Sequence, residues 1–336
     1  MNDVVRLTLS DAATLVRRAL IASGAGPRQA ETTANALVAA EADGQAGHGL
    51  SRVPSYAAQV KAGKVAGGAI PAAVQLSAAS VGVDAAGGFA YPALELAVER
   101  LVPLAREMGI ASAAIARSHH AGQAGQAVER LAEAGLIGLI MSNTPAAMAF
   151  AGGRTPALGT NPLAFAAPLE GRAPLVIDLA LSLVARSRIV AADKRGEAIP
   201  PGWALDASGQ PTNDPKAALG GVLEPIGEAK GASLALMVEI LAGALAGGKY
   251  GWEAASFLDA EGDSPGVGQV LIAIAPGGAG PAGFAARMTA LVDRVEAEGL
   301  RLPGDRRLIA RAKAVREGVL VPAALHAQIT ALAEPG

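Results

Sequence analysis

Apolar residues recur every three or four positions along much of the chain, a spacing typical of helices that bury one face. Ser10-Asp11 predicts a helix start, because a short polar side chain can accept hydrogen bonds from the first free amides. Pro27 predicts the start of a second helix that runs to about Asp43. Pro92–Met108 predicts a strongly amphipathic helix, whereas Ala229–Leu245 is the most apolar helical segment and is therefore predicted to be buried.

Short apolar runs bounded by Gly, Pro or charged residues lie between these helices and predict strands. The predicted strands are Val74–Asp84 (one or two strands), Ile110–Ala116, Leu136–Ser142, Pro162–Ala167, Leu175–Leu179 and Gln269–Ala275. Further helices are predicted at Gly122–Ala134, Leu183–Ala192, Phe284–Glu298, Arg306–Glu317 and Pro322–Leu332. Since helices and strands intermix throughout the chain, the pattern predicts an α/β or closely mixed α+β fold.

The chain of 336 residues allows one large domain or two interleaved ones, with enough residues for a sizeable core. Hydrophobic residues make up 51% of it but aromatic residues only 3%, so the core must be built from small aliphatic side chains. The formal net charge of −2, with no long run of one sign, gives no indication of a nucleic-acid or anionic-membrane partner.

The absence of cysteine excludes disulfides and thiolate metal sites, and it fits a cytoplasmic protein. The N-terminal residues carry charges where a signal peptide needs its apolar core. Gly, Pro or charged residues interrupt every apolar stretch before about 18 residues, the length that a membrane span requires. We therefore expect a soluble protein without a membrane span.

A histidine between two glycines, Gly47-His48-Gly49, is followed by Arg52 and Tyr56. Glycine on both sides lets a substrate or another backbone segment approach the imidazole closely. An imidazole can transfer a proton near neutral pH, and a guanidinium can bind a carboxylate through two parallel hydrogen bonds. Arg52 and Tyr56 would share one face of a helical turn. The segment predicts a site for an acidic substrate; the alternative is a helix end with an ordinary surface histidine and arginine.

Two adjacent histidines, His119 and His120, follow a predicted strand and open a glycine-containing turn into the next helix. Loops at strand ends often carry functional residues. Adjacent side chains diverge, and no His-Glu-x-x-His pattern or carboxylate cluster accompanies the pair, so we predict no metal site. Our hypothesis is that one histidine acts as acid or base and the other packs in the interior. An exposed polar turn is the alternative.

Three further segments carry polar groups that a ligand could use. Gly159-Thr-Asn-Pro162 offers free amides and a hydroxyl, Asp178 places a carboxylate at a strand end, and Lys230 lies at a helix start. A lysine at a helix N-terminus opposes the helix dipole, which either a bound phosphate or simple solvation would explain. Together these segments indicate a phosphate-bearing ligand beside a carboxylate-bearing one.

The segment Gly278-Ala-Gly280-Pro-Ala-Gly283 matches the dinucleotide fingerprint G-x-G-x-x-G after a predicted strand. However, Pro276 precedes the match, Pro281 lies inside it, and too little chain follows to complete a nucleotide-binding domain. In a chain with 42 glycines such a match arises easily by chance. We therefore do not interpret it as a Rossmann turn.

Taken together, these segments resemble the malate/lactate dehydrogenase family that is unrelated to the Rossmann-fold lactate dehydrogenases. That family includes ureidoglycolate and sulfolactate dehydrogenases and the reductases of cyclic imino acids, and the likeness extends to about Gly318. The matching motifs, in chain order, are His48-Gly49 with Arg52 and Tyr56, Ser118-x-His120, Gly159-Thr-Asn-Pro162, Asp178 with Ser182, Pro200-x-Gly-Trp203, Lys230-Gly231 and Leu302-Pro-Gly-Asp-Arg-Arg307.

The resemblance implies a nicotinamide-dependent oxidoreductase with a family-specific, non-Rossmann fold, in which helices flank a mixed, largely antiparallel sheet. It implies a helical domain of residues 1–73 plus 300–336, which carries His48 and Arg52, and an NAD(P)-binding mixed-sheet domain of residues 74–299. It also implies a homodimer with the site near the subunit contact, and a small carboxylate substrate.

By resemblance, Arg52 pairs with the substrate carboxylate, Tyr56 and Thr160 also bind substrate, and His120 or His48 transfers the proton. Arg306 or Arg307 would meet a 2′-phosphate, which favours NADPH over NADH. The residues implied for cofactor binding are His120, Ala121, Gly122, Gln123, Ala124, Ser142, Asp178, Leu179, Ala180, Lys230, Gly304, Arg306 and Arg307.

Two positions depart from the family pattern. Gly47 stands where members commonly have a serine of a proton relay, and Arg188 stands where the imino-acid reductases can have an aspartate. The Ser-His-Asp relay is therefore not carried over intact, and His120 gains weight as the acid. Ser118–His120 and Leu302–Arg307 are most similar to the imino-acid reductases.

We therefore expect an NAD(P)H-dependent reductase that converts pyrroline-2-carboxylate or piperideine-2-carboxylate to proline or pipecolate. A 2-hydroxyacid dehydrogenase of the malate, lactate or ureidoglycolate type is the alternative. A catalytically silent ligand-binding homologue is an alternative of another class.

Overall fold

The computed structural model describes residues 3–279 and 283–334, whose strands and helices alternate along the chain. The strands are β1 (Val4–Leu7), β2 (Ala72–Ser77), β3 (Ser80–Asp84), β4 (Ile110–Ser118), β5 (Ile137–Ser142), β6 (Leu163–Leu169), β7 (Arg172–Leu179), β8 (Ala204–Leu205), β9 (Val222–Leu223), β10 (Val267–Ile274) and β11 (Val319–Pro322). The helices are α1 (Leu9–Ala22), α2 (Pro27–Ala42), α3 (Val53–Lys61), α4 (Ala90–Met108), α5 (Gly125–Glu133), α6 (Arg186–Arg195), α7 (Pro215–Leu219), α8 (Ala229–Val238), α9 (Pro276–Ala279), α10 (Phe284–Ala297), α11 (Asp305–Glu317) and α12 (Ala323–Ala333).

A seven-stranded sheet in the order β2-β3-β4-β10-β5-β6-β7 forms the centre of the molecule. Its neighbours β3 and β4 are parallel, joined by the α4 crossover, and every other adjacent pair in the sheet is antiparallel. The predicted mixed, largely antiparallel sheet flanked by helices is confirmed. Strand β10 pairs antiparallel with both neighbours, so it cannot begin the parallel β-α-β unit of a Rossmann turn. Gly278 lies in the short helix α9 after it, and residues 280–282 of the fingerprint match lie outside the described residues.

Three apolar clusters hold the layers together. One packs α4 and α5 against the sheet, and a second covers the other sheet face with α6 and α8. The third combines α1 to α3 with β11 and α12, so that both ends of the chain share one core. Phe89 and Tyr91, from the start of α4, also belong to this third cluster. The division into 1–73 plus 300–336 and 74–299 stays a prediction.

Two predictions about helices were wrong in detail. Thr8, rather than Ser10-Asp11, caps α1, because its Oγ1 accepts a hydrogen bond from the Asp11 amide at 3.1 Å. The segment Ala229–Leu245 is helical, with a π-helical second half, but it is not buried all round. Leu234, Met237 and Ile240 are exposed on one side of it. Apolar residues can face the protein's own core or a contact with another molecule, and the sequence pattern alone does not distinguish the two.

Among the residues described, no helix is both long enough and apolar enough to cross a membrane. The same part of the chain holds no group of three or more histidine, aspartate or glutamate side chains arranged to bind a metal ion.

Candidate active site

A cavity of about 960 Å³ lies where the segment after α2, the turn after β4, the end of β7 and the start of α6 meet. The loop at residues 251–259 and the residues before α11 complete its walls. The predicted site residues that line it are His48, Arg52, His120, Ala121, Gly122, Gln123, Ser142, Thr160, Asp178, Leu179, Ala180, Gly304, Arg306 and Arg307. Segments far apart in sequence therefore converge on one cavity, and its size lies at the upper end of the range for ligand sites.

The segment that carries His48 consists of two short 3-10 turns between α2 and α3. A side chain on Gly49 would collide with Glu41, whose carboxylate accepts a hydrogen bond from the Leu50 amide at 2.8 Å. Gly49 is thus required by the close approach of α2. Arg52 donates from Nε to the Gly47 carbonyl at 2.6 Å, which holds its guanidinium beside His48 at the cavity wall.

The imidazole rings of His48 and His120 stack at the cavity wall, with centroids 5.2 Å apart and planes inclined by 17°. The Phe257 ring covers His120 at a centroid distance of 5.1 Å. Tyr56 Oη lies 2.7 Å from His120 Nδ1 and 3.2 Å from Tyr91 Oη. A chain of two tyrosine hydroxyls thus contacts His120 Nδ1 and fixes the orientation of its ring.

Tyr56 does not occupy the substrate-binding position predicted for it. Its side chain is fully buried and does not line the cavity. The i, i+4 spacing from Arg52 is retained, but Arg52 reaches the cavity while Tyr56 points inward to His120. In the structure, Tyr56 therefore contacts His120 and does not reach the cavity wall.

His119 and His120 have separate environments, because successive side chains diverge. His119 is buried beneath the site and donates from Nε2 to Gln59 Oε1 at 2.7 Å. The Gln59 amide in turn donates to the Phe257 carbonyl at 2.9 Å. His119 therefore supports the wall that carries Phe257, while His120 faces the cavity.

The histidines at this site are neutral near pH 7. Burial and the Arg52 guanidinium lower the pKa of His48 to about 4. Burial, Lys64 and Arg52 lower the pKa of His119 to about 3. Burial is also the main cause that lowers the pKa of His120 well below its ordinary value. A neutral His120 can donate a hydrogen bond that polarises a substrate atom, although it is not a strong acid.

We expect thermal stability to fall as the pH decreases from 7.5 to 5.0, above the range in which ordinary carboxyl groups titrate. The unfolded chain would protonate His48 and His119 near the ordinary pKa of about 6.5, whereas the folded chain keeps both neutral. At these two histidines the unfolded state binds more protons in this interval, so the stability that they contribute is lost as the pH falls. Calorimetric melting temperatures check this. His119→Gln should flatten the pH dependence relative to the wild type; the same pH dependence in the variant and in the wild type would contradict the assignment.

The turn after β4 and the end of β7 are tied together beside the cavity. Asp178 Oδ2 accepts a hydrogen bond from the Gly125 amide at 2.7 Å, which fixes the start of α5 against β7. Thr160 is held by its own amide, which donates to Thr144 Oγ1 at 2.9 Å. Asn161 in the same loop has a positive φ of 38°, and its side-chain Nδ2 donates a hydrogen bond to Glu239 Oε2 at 2.8 Å. The loop hydroxyls thus lie on a rigid support.

Arg306 or Arg307 was predicted to meet a 2′-phosphate, but the positive charge of Arg307 is already paired with carboxylates. Its guanidinium is buried and bonded to Glu129 Oε2 at 2.6 Å and to Asp43 Oδ2 at 3.2 Å. Arg311 joins the same two carboxylates, so the four charges form a closed network. Arg306 is exposed and lines the cavity, and of the two predicted alternatives it is the one whose charge a ligand can reach.

Two more predicted cofactor contacts lie away from the cavity. Ala124 is buried directly before α5 and does not line the cavity. Lys230 lies in the first turn of α8 as predicted, but it is exposed and is not part of the cavity wall. The position at the helix start was predictable from the sequence, whereas the direction of the helix relative to the site was not.

The cavity also contains residues that the sequence analysis missed. Among them are Thr144, Arg186, Ser187, Trp252 and Phe257. Phe257 and Trp252 lie in a loop without regular structure, where no periodic pattern marks a position. The chain has only two tryptophans and five phenylalanines, and this rarity was the one signal in the sequence that could have drawn attention to them.

The chain belongs to the malate/L-lactate dehydrogenase family, whose model matches residues 7–330. It is therefore an oxidoreductase, and the family predicted from the motifs is confirmed.

Relatives with different substrates resemble the chain over nearly its whole length. A (2R)-3-sulfolactate dehydrogenase (NADP(+)) of Chromohalobacter salexigens is 50% identical over 302 residues, 90% of either chain. A Delta(1)-pyrroline-2-carboxylate/Delta(1)-piperideine-2-carboxylate reductase of Pseudomonas putida is 42% identical over 322 residues, 95% of this chain and 94% of the other. The crystal structure of delta1-piperideine-2-carboxylate reductase from Pseudomonas syringae pv. tomato superposes with a TM-score of 0.93 at 38% identity, covering 98% of this chain and 99% of that one.

Proposed function

We propose that this protein is an NADPH-dependent reductase of cyclic imino acids, which reduces the C=N bond next to a carboxylate. The observation that carries the proposal is that Arg52, His48 and His120 line one cavity of about 960 Å³. The Arg52 guanidinium, which has no ion pair among the described residues, thus lies in the same cavity wall as His120, whose Nδ1 contacts Tyr56 Oη. Relatives with 36–42% identity are pyrroline- or piperideine-carboxylate reductases, which supports this substrate class.

The cavity fits a nicotinamide dinucleotide in both size and chemistry. Its walls combine an apolar strand end at Leu179–Ala180, the turn Ala121–Gln123 and the exposed cation of Arg306. Arg306 would bind the 2′-phosphate that distinguishes NADPH, since a guanidinium matches phosphate geometry. When bound, the cofactor supplies the hydride.

Arg52 would bind the substrate carboxylate and fix its orientation, which contributes much of the rate in such reactions. Burial raises the pKa of both Tyr56 and Tyr91, so both hydroxyls keep their protons. We infer that Tyr56 donates to His120 Nδ1 and that Tyr91 donates to Tyr56. His120 therefore carries its own proton on Nε2, the nitrogen not bonded to Tyr56, and can donate it to the substrate nitrogen.

A cyclic imine needs little help from an acid, because its protonated form is the reactive one. This low demand for an acid agrees with the neutral histidines at the site. It also agrees with Gly47 and Arg188 in place of a relay serine and aspartate. The second candidate is the reduction of a 2-oxo acid, the reverse of a 2-hydroxyacid dehydrogenase. The 50% identity with a sulfolactate dehydrogenase favours it.

We also propose a homodimer in the cytoplasm. The exposed side chains of Leu234, Met237 and Ile240 form an apolar face on α8 and its π-helical extension, which a second copy would cover. The absence of cysteine fits a reducing compartment. Sedimentation analysis of the purified protein would test the assembly.

The proposal predicts that purified protein oxidises NADPH with pyrroline-2-carboxylate and piperideine-2-carboxylate. Pyruvate and oxaloacetate are tested in parallel, and NADH replaces NADPH in a second series. Turnover of the oxo acids without the imines would make the second candidate correct. If all four compounds are inert while NADPH still binds, the protein is a silent homologue and the proposal fails.

A further inference from the structure

Lys64, in the turn after α3, is a lysine whose side chain is fully buried. A buried ammonium group is unfavourable unless its charge and its three N–H donors all find partners. Lys64 Nζ donates to Asp259 Oδ1 at 3.0 Å, to the Asp259 carbonyl at 3.2 Å and to the Glu261 carbonyl at 2.5 Å. All three acceptors belong to the segment of residues 255–263, which we call the Phe257 loop. Lys64 therefore anchors this loop.

The Phe257 loop contains neither a helix nor a strand. A second anchor is Gln59 on α3, whose Nε2 donates to the Phe257 carbonyl at 2.9 Å. In the part of the chain that the structure describes, no other group outside the loop forms a hydrogen bond with residues 255–263. The position of the Phe257 ring therefore depends on Gln59 and Lys64.

The Phe257 ring packs against the two adjacent histidines of the site. Its centroid lies 5.3 Å from that of His119 and 5.1 Å from that of His120. His120 is only 8% exposed, so the Phe257 ring helps to enclose the imidazole that faces the cavity. Because a displacement of about 1 Å at a reacting group can cost about 10²-fold in rate, a loop that fixes this ring affects the reaction.

Helix α3 connects this loop to the remainder of the site. Arg52 precedes the helix, and Tyr56 and Gln59 follow at i+4 and i+7, so all three share one face. Arg52 reaches the cavity, Tyr56 contacts His120, and Gln59 links His119 to the Phe257 loop. Lys64 extends this series beyond the end of the helix. One element thus positions the cation for the substrate, the proton donor and the ring that covers it.

We propose that Lys64 is a positioning residue, which holds the Phe257 loop against His120 and so keeps the imidazole in the orientation that proton donation requires. This inference rests on the proposed function, which makes His120 the proton donor. Lys64 itself does not line the cavity. It acts through Asp259, to which it is bonded, and through the Phe257 ring that Asp259 follows in the same loop.

Steady-state kinetics of Lys64→Met test the role, because methionine retains most of the apolar stem and removes the three donors. We expect kcat for pyrroline-2-carboxylate and pyruvate to fall about tenfold, with KM for NADPH changed less than about twofold. Asp259→Asn keeps both carbonyl acceptors and removes only the charge, so it should lower kcat in the same way but less. Lys61→Met is the matched control, since Lys61 is exposed in the last turn of α3 and does not line the cavity.

NMR of the imidazole protons in the resting protein measures the contact with Phe257 without any substrate. The chain has only four histidines, so single substitutions assign their signals. The aromatic ring shifts the signals of His119 and His120, and in Lys64→Met both should move toward their positions in Phe257→Leu. The same movement, smaller in size, is expected in Asp259→Asn.

A lysine that only supports the fold would lower the melting temperature and leave kcat and the His120 signal of the folded variants unchanged. That result, or an equal loss of kcat in Lys61→Met, would overturn the positioning role. The NMR signals also separate this inference from the proposed function. If they move as expected while the wild type turns over none of the compounds, the role of Lys64 in placing the ring stands and the proposed function fails.

Discussion

His120→Ala is expected to lower kcat for a 2-oxo acid by about 10²- to 10⁴-fold, the usual contribution of a positioned acid or base. The loss should be smaller for a cyclic imine, because the protonated imine already carries the proton that His120 would supply. Steady-state kinetics with pyruvate and pyrroline-2-carboxylate measure both effects. A fluorescence titration with NADPH should still show binding, which separates chemistry from loss of the fold.

His326→Gln is the matched control, since His326 lies on α12 and does not line the cavity. Tyr56→Phe keeps the buried ring and removes only the hydroxyl that contacts His120 Nδ1. It should lower kcat about fivefold with little change in KM, since a lost hydrogen bond is worth about 1 kcal/mol. Near-full turnover of both substrates by His120→Ala would refute the role of His120.

Glu129→Gln is expected to destabilise the folded protein by about 3 kcal/mol. Glu129 is buried and accepts hydrogen bonds from Arg307 and Arg311, which also bind Asp43. Removal of one negative charge leaves a buried cation in excess, because Asp43 alone cannot neutralise two guanidinium groups. Denaturant unfolding monitored by circular dichroism measures the change.

The control is Glu197→Gln, which removes a carboxylate from the exposed pair with Arg195. Exposed pairs contribute little, so its effect should remain below about 0.5 kcal/mol. Equal stability losses in the two variants would show that the four-charge network is not the structural element inferred here. Arg307 belongs to this network and also lines the cavity, so Glu129→Gln should also weaken NADPH binding.

The sequence predicted most of the regular structure because the periodic signals are local. Pro27 begins α2 as expected, and the strand predicted at Ile110–Ala116 is β4, two residues longer. Strands β1 and β11 were missed, since each has four residues and gains its partner from the opposite end of the chain. Long-range pairing of short segments has no local signature.

The candidate site was predictable only where a motif itself reaches the cavity. His48, Arg52 and His120 do so, and their side chains could be named from the sequence. The environment of Arg307 could not be predicted, because its carboxylate partners are 264 and 178 positions away in the chain. The same holds for Tyr56, since helical spacing shows which side chains share a face and not what that face contacts.

In the proposed reaction, hydride reaches the carbon next to a carboxylate that Arg52 binds. A direct test is the reduction of pyrroline-2-carboxylate with NADPH that carries deuterium at both C4 positions of the nicotinamide, followed by mass spectrometry and NMR of the product. We expect proline with deuterium at C2, and a greatly reduced yield with Arg52→Ala. Unlabelled proline, label at another carbon, or an undiminished yield with Arg52→Ala would contradict it.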